Sequence, residues 1–308
     1  MVHISIVIPV FNESTLILEL VKQVKSNVAL ITNDYEIVLV DDGSVDETWN
    51  FITNEAGNDL RVKGIRFSRN FGHHYAITAG LQKAIGEWVV VMDGDLQDRP
   101  EVIPDLYKKA QDGYDVVFVS RQNRPEKFYY KILQKIFYLI LRFLSGIKFD
   151  STHANFSILS KKVVEAYKSF PENARFYVST IKWLGFNSAA IIADHGDRFS
   201  GVTSYTIKKR IKLAADIIIA FSERPLKFAI NIGIIISMSS IVFALLIVMN
   251  ALTYGYSVLG WPSLIVSIYF LSGINLIVLG IFGTYLGRIF QEVKNRPLFI
   301  VTESINVK

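Results

Sequence analysis

Two aspartates, Asp93 and Asp95, close a strand-like run, Trp88-Val89-Val90-Val91-Met92, with only Gly94 between them. Strand side chains alternate faces, so positions i and i+2 point the same way. Paired carboxylates repel each other and persist where a cation neutralises them, and hard divalent ions prefer oxygen ligands. Mg²⁺ keeps few protein ligands and fills its shell with water and phosphate oxygens. The spacing therefore reads as a metal–diphosphate site. A lone D-x-D would ordinarily read as an acidic turn between strand and helix, so the surroundings have to decide.

The elements that would position this pair alternate along the first hundred residues. His3–Val10, Tyr35–Val40, Val62–Phe67, Trp88–Met92 and Asp115–Ser120 have strand composition, while Glu13–Ala29, His74–Ile85 and Glu101–Gln111 have helical spacing. Asp46 is placed to cap a further helix running through Ala56. This rhythm predicts an α/β fold with a doubly wound, mostly parallel sheet. Ligands of such sheets gather at the carboxyl ends of the strands. The polar residues there are Asn12-Glu13, Asp41-Asp42, Asp93-Asp95 and Arg121, from four separate strand ends. Neither G-x-G-x-x-G nor G-x-x-x-x-G-K-[ST] occurs, which disfavours a dinucleotide Rossmann site and a P-loop.

The second half has a different character. From Phe228 to Gly287 there is no Asp, Glu, Lys, Arg or His. That is room for two spans of about 20 apolar residues each, expected near 228–252 and 264–287. The stretch also explains a hydrophobic share of 51% and a mean hydropathy of +0.32. Thr253–Ser263 carries no Lys or Arg, whereas Arg224 and Lys227 precede the first span and Arg288, Lys294 and Arg296 follow the second. The positive-inside rule puts both flanks in the cytoplasm, as expected for a multi-pass protein of the plasma (inner) membrane. Lys127–Ser145 reads equally as an interface helix or a core helix, and the nearby anchor favours the interface. Ile207–Ala220, led by Lys208-Lys209-Arg210, is a basic juxtamembrane helix suited to anionic lipid. The expected plan is a cytoplasmic catalytic domain over 1–206, a juxtamembrane helix over 207–226, a transmembrane hairpin over 227–288 and a cytoplasmic tail over 289–308.

The remaining composition narrows the partners. The formal charge of +5 suits lipid head groups or a phosphorylated ligand, and no nucleic-acid partner is expected. With no cysteine there is no disulfide and no thiolate metal site. The N-terminus enters a strand-like segment directly, without the pattern of a signal peptide.

The ordered motifs Ser5-Ile6-Val7-Ile8-Pro9-Val10-Phe11-Asn12-Glu13, Val40-Asp41-Asp42-Gly43-Ser44, Asp93-Gly94-Asp95-Leu96-Gln97-Asp98 and Pro100-Glu101 resemble family 2 glycosyltransferases of the GT-A fold. Phe67-Ser68-Arg69-Asn70-Phe71-Gly72-His73, Arg198-Phe199-Ser200-Gly201 and Ser222-Glu223-Arg224-Pro225-Leu226 resemble a subgroup, the polyprenol-phosphate glycosyltransferases. These include bactoprenol glucosyl transferases and, more distantly, dolichol-phosphate mannose synthase. The resemblance implies inverting transfer from a nucleotide sugar, UDP-glucose by default, to a polyprenyl (undecaprenyl) phosphate, serving cell-surface polysaccharide or O-antigen modification. It implies Mg²⁺ or Mn²⁺ on Asp93, Asp95 and Gln97, and a nucleotide held by Pro9, Phe11, Glu13, Asp41, Asp42 and Asp93. Within that set Asp42 is the choice for a base. The resemblance puts Arg121 and Arg198 with Asp93 and Asp95 in the catalytic set, near the phosphates, and Lys131, Asn155, Arg198 and Tyr205 at the acceptor. Membrane hairpins of the subgroup pack together, so a homo-oligomer joins the bilayer among the expected partners.

Two departures stand out. Where the subgroup carries a Gly-Asp-Phe-Arg-like stretch, this chain has Ala154-Asn155-Phe156-Ser157, and in Thr203-Ser204-Tyr205 no lysine precedes the tyrosine. They leave two alternatives standing: a different acceptor, or a catalytically weak membrane scaffold. Two further features receive plain readings. His73-His74 reads as a helix start, because adjacent residues do not share a helix face. His195 reads as part of a surface turn.

Overall fold

The computed structural model describes residues 2–121, 153–172, 176–193, 222, 224–254 and 260–307. Two compact units divide the chain, one formed by Met1–Lys135, Phe149–Ser204 and Arg296–Lys308, the other by Ile136–Lys148 and Tyr205–Asn295.

The first unit is built on a sheet of strands β1 (Ile4–Val10), β2 (Tyr35–Asp41), β3 (Val62–Phe67), β4 (Trp88–Val91), β5 (Val116–Arg121), β6 (His153–Ser160), β7 (Ser188–Ala193) and β8 (Val301–Ile305). Their spatial order is β7-β5-β6-β4-β1-β2-β3-β8. Pairings β1–β2, β1–β4, β2–β3 and β5–β7 are parallel, whereas β3–β8, β4–β6 and β5–β6 are antiparallel. The sheet is therefore mixed and less parallel than the first hundred residues predict. The additions come from β6 and β8, whose partners are distant in sequence and leave no local signal.

Alternation along β1 divides the core. Ile4, Ile6 and Ile8 face a cluster with Ile17, Leu20, Val21 and Val24 of helix α1 (Ile17–Val28), Trp49 and Ile52 of α2 (Thr48–Asn58) and Leu106 of α4 (Ile103–Ala110). Val7 faces the opposite cluster, with Ala76 and Ile77 of α3 (His73–Lys83), Val163 and Tyr167 of α5 (Lys161–Lys168) and Tyr177 of α6 (Tyr177–Trp183). Each fully buried aliphatic side chain contributes about 1.5–3 kcal/mol, so the sheet ends are held on a rigid base. At the amino ends of the strands, buried Glu36 accepts from Ser5 Oγ at 2.5 Å and from the Ile85 amide at 2.9 Å, and pairs with Lys63.

β8 places part of 289–308, expected as a tail, at the edge of the sheet. Phe299 stacks on Phe67 with ring centroids 4.8 Å apart, and Asn306 Nδ2 donates to the carbonyls of Ala56 and Val62 at 2.7 and 2.9 Å.

The second unit contains two long helices, α7 (Arg224–Tyr254) and α8 (Trp261–Val293). Among the described residues one stretch, Phe270–Val293, is long and apolar enough to cross a membrane, with mean hydropathy 1.7, and Leu226–Ile236 is a shorter apolar helix. Large apolar side chains are exposed along both, including Ile235, Leu246, Leu276 and Phe282. The segments 127–145 and 207–220, read as amphipathic helices, lie outside the described residues.

Candidate active site

The loops at the carboxyl ends of β1 and β2 are laced together by side-chain acceptors. Asn12, left-handed at φ 56°, donates its amide to Ser44 Oγ at 2.9 Å, while its own Oδ1 accepts from Val45 N–H at 3.0 Å. The Glu13 amide donates to Thr48 Oγ1 at 2.9 Å and the Ser14 amide to Asp46 Oδ2 at 3.2 Å. Asp46 Oδ1 accepts from the Thr48 amide at 3.1 Å and from the Thr48 hydroxyl at 2.5 Å, so Asp46 ties the start of α2 to the neighbouring loop, while the N-cap position falls to Glu47, whose side chain makes no cap bond. These bonds explain why α1 starts at Ile17 and not at Glu13: the intervening residues serve the loop. Phe11 is left 42% exposed at the rim, and Pro9 is buried opposite Val40.

The two members of the second acidic pair have separate tasks. Asp41, fully buried at the end of β2, accepts from the Ser44 amide through Oδ1 at 2.8 Å, and its Oδ2 is buried without a hydrogen-bond partner. Burial pushes its pKa up, against the Ser44 hydrogen bonds and the charge of Arg66, whose Nε lies 3.6 Å from Oδ2. Asp42 accepts from the Phe71 amide at 2.7 Å and from the Gly72 amide at 3.0 Å. Burial raises its pKa and those two amides oppose the rise. Gly43, at φ 73°, packs so closely that a Cβ would collide with the Arg69 backbone. Asp42 thus orders the loop leading into α3.

The Asp93–Asp95 pair is positioned by a turn, and the strand alternation expected for it ends earlier. β4 stops at Val91, and Leu96 takes φ 58°. Asp98 Oδ2 accepts from the Asp93 amide at 3.0 Å, and Asp95 Oδ1 accepts from the Gln97 amide at 3.1 Å. Gly94 is required, since a Cβ would stand 2.6 Å from Val10 Cγ1. The turn therefore lies tight against β1, with the Asp93 side chain 26% exposed.

One residue read as a plain helix start belongs to this site. His73, the first residue of α3, brings Nε2 to 3.2 Å from Asp93 Oδ1 and 3.0 Å from Asn155 Nδ2. Burial alone would lower its pKa, but the charges of Asp93, Asp42 and Asp98 outweigh it and raise the value. Neutral, Nε2 accepts the Asn155 amide; protonated, it donates to Asp93. The available signal was position: His73 follows β3 on the same sheet edge as the acidic loops. His74 beside it is held down to about 4 by burial and by the charge of His73.

Asn155 reaches the site because β6 runs antiparallel to β4 with Val91 opposite Ser157, so two residues further on Asn155 comes level with Asp93. Ser157, at the position of the subgroup's arginine, is buried and bonded to the Tyr177 hydroxyl at 2.7 Å. Arg121 ends β5. Lys131, Arg198 and Tyr205 lie outside the described residues, as does His195.

The donor set fits a hard divalent cation. Asp93 and Asp95 supply carboxylate oxygens from one tight turn, and His73 meets Asp93 as a cationic partner would. Among the described residues no cluster of three or more His, Asp or Glu forms a cage.

The profile of Glycosyl transferase family 2 matches residues 5–170. An uncharacterized glycosyltransferase of Bacillus subtilis, YkcC, is 37% identical over the whole chain and 95% of its own length. The bactoprenol glucosyl transferase of Shigella phage SfII is 37% identical, covering 98% of each chain. Among solved structures, glucosyl-3-phosphoglycerate synthase from Mycobacterium tuberculosis, in complex with Mn²⁺, UDP and phosphoglyceric acid, superposes with a TM-score of 0.52. It is 16% identical and covers 70% of this chain and 76% of its own. A Pyrobaculum calidifontis mannosyltransferase in complex with GDP-Man and Mn²⁺ superposes at 0.50, with 19% identity over 71% of this chain and 63% of its own.

Proposed function

Because this chain belongs to glycosyl transferase family 2, and is similar over its full length to bactoprenol glucosyl transferases, we propose that it transfers a sugar from a nucleotide-sugar donor to a polyprenyl phosphate at a membrane surface. UDP-glucose is the donor we favour and undecaprenyl phosphate the acceptor. The observation that carries the reading is the convergence of Asp41, Asp42, Asp93 and Asn155 on adjoining strand ends, with His73 between the last two.

Asp93 and Asp95 are the residues to hold a divalent cation, Mg²⁺ or Mn²⁺, which when bound offsets charge developing on the departing diphosphate. Gln97 extends that turn. The lacing of Asn12, Ser44 and Thr48 fixes the loops that flank the nucleotide, with Phe11 offering an exposed ring and Asp41 a buried acceptor oxygen. Asp42 shapes the Phe71–Gly72 backbone and takes no proton in this scheme. A strong base is unnecessary, because a phosphate monoester has its second pKa near 6 and is largely ionised at neutral pH. Inversion then needs chiefly an in-line approach, so positioning dominates. Asn155 stands opposite Asp93, where an acceptor contact is expected. Arg121, Arg198, Lys131 and Tyr205 complete the proposed phosphate and acceptor contacts.

We also place the protein in the plasma membrane as a two-span hairpin with the sheet on the cytoplasmic side. α7 and α8, 31 and 33 residues long, each exceed the roughly 20 residues a span requires. Sheet topology supports an even number of crossings. The chain leaves the first unit after Ser204, re-enters it at Arg296 and pairs β8 with β3, so both ends of the intervening segment belong to one side.

The reading is tested with purified protein, undecaprenyl phosphate and a panel of nucleotide sugars, following lipid mass by mass spectrometry. UDP-glucose should yield a hexosyl-phosphoryl lipid with release of UDP. No lipid product from any donor, alongside no metal-dependent UDP binding by calorimetry, would favour the scaffold.

A further inference from the structure

The last strand reaches toward the proposed nucleotide site through one carboxylate. β8 pairs antiparallel with β3, placing Glu303 opposite Arg66. Glu303 uses both oxygens: Oε1 accepts from Arg66 Nη1 at 2.9 Å, and Oε2 accepts from the Trp49 indole N–H at 3.0 Å. The Arg66 guanidinium also lies over the Trp49 ring, 5.8 Å from its centroid. Thus anchored, Arg66 presents Nε to Asp41 Oδ2 at 3.6 Å, outside hydrogen-bonding distance. An unsatisfied buried carboxylate oxygen is costly, and a guanidinium fork so near would satisfy it by a small movement. What opposes that movement is the Glu303 contact.

We infer that Glu303 is a positioning residue for the donor: by holding Arg66 against Trp49, it keeps Oδ2 of Asp41 available to an N–H of a nucleotide base. The inference rests on the proposed placement of Asp41 in the nucleotide site. Asp41 is fully buried, so an entering base must displace what covers it. An Arg66 already bonded to Oδ2 would add a second barrier. The strand following the apolar segment thereby gains a part in donor recognition.

The test uses the full-length protein in detergent, with UDP and Mn²⁺ titrated by calorimetry, steady-state kinetics with UDP-glucose, and melting temperature as a control. Glu303→Gln keeps an acceptor for Trp49 and loses the charge that holds Arg66. It should weaken UDP affinity and raise KM about tenfold, within the range of couplings between contacting residues, with kcat and melting temperature unchanged. Glu303→Asp should restore part of the affinity. Thr302→Ala, on the same strand and with its hydroxyl on the Arg66 carbonyl rather than the guanidinium, should bind as wild type. In an Asp41→Asn background, Glu303→Gln should add nothing. Equal weakening in both backgrounds, or a parallel fall in kcat and melting temperature, would overturn the inference. If Asp41→Asn itself bound UDP normally, the placement of Asp41 would fail first; if only Glu303→Gln bound normally, the role of Glu303 alone would fail.

Discussion

The imidazole of His73 and the carboxylate of Asp93 face each other at 3.2 Å, one opening a helix and the other following a strand. An aspartate that is to receive a metal gains from a fixed second partner, because supporting hydrogen bonds orient metal-ligating carboxylates. His73→Ala should therefore weaken Mn²⁺ affinity, measured by electron paramagnetic resonance with UDP present, by about tenfold or more. His73→Gln keeps an amide donor within reach of Asp93 and should recover most of it. Unchanged Mn²⁺ binding in His73→Ala would reduce His73 to a helix start.

Asp95→Asn separates chemistry from folding. Asn retains the Oδ1 that accepts the Gln97 amide, so the turn and the packing of Gly94 on Val10 survive, and the melting temperature should hold. Transfer should fall by at least about 100-fold, the scale for losing one group that stabilises developing charge. Wild-type turnover in this variant would remove Asp95 from the metal site.

The contrast between these aspartates and His73 shows what was legible in the sequence. Asp93 and Asp95 announce themselves because two carboxylates so close need an electrostatic reason. The strands from β1 to β4 were equally plain, since short β-branched, apolar runs encode such buried strands locally. His73 was not, because its partner lies at the end of another strand and its own local signal fits a helix start equally well. β8 was missed for the same reason: Val301–Ile305 is largely exposed, and only its pairing with β3, more than 200 residues earlier, makes it a strand. Asp42 adds a task the motif does not announce: its oxygens accept the Phe71 and Gly72 amides of another loop.

His74 gives the fold an acid limb. Its pKa is near 4 in the folded chain against 6.5 for a free histidine, first through burial and then through the charge of His73, with Asp93 opposing. Above pH 6.5 both folded and unfolded states are neutral at this residue, and its contribution is fully present. As pH falls from 6.5 toward 4 the unfolded chain takes up a proton that the folded chain refuses, so stability is lost. The loss levels off between about 3 and 4 kcal/mol, because each tenfold difference in proton affinity between the two states is worth about 1.4 kcal/mol. His74→Gln should flatten that limb: the difference in unfolding free energy between variant and wild type, followed by denaturant melts, should shift in the variant's favour between pH 6.5 and 4. A pH-independent difference would show that His74 is not held neutral.

The absence of cysteine makes the topology directly measurable, since any thiol introduced is the sole thiol. Three positions divide the possibilities. Leu30 is 75% exposed in the first unit, Gly260 precedes α8 with nothing within 4 Å of an added Cβ, and Arg296 begins the return to the sheet. If α7 and α8 each cross the bilayer, Leu30→Cys and Arg296→Cys share one side and Gly260→Cys the other. In intact spheroplasts a membrane-impermeant maleimide should then label only Gly260→Cys, and lysis should expose the other two. Because β8 pairs with β3 inside the first unit, Leu30→Cys and Arg296→Cys must respond alike in every folded arrangement, which provides an internal control. Labelling of all three only after lysis would mean that the apolar helices enter the membrane without spanning it. The hairpin would then give way to a re-entrant or interfacial anchor, while the strand-end site of the sheet would stand.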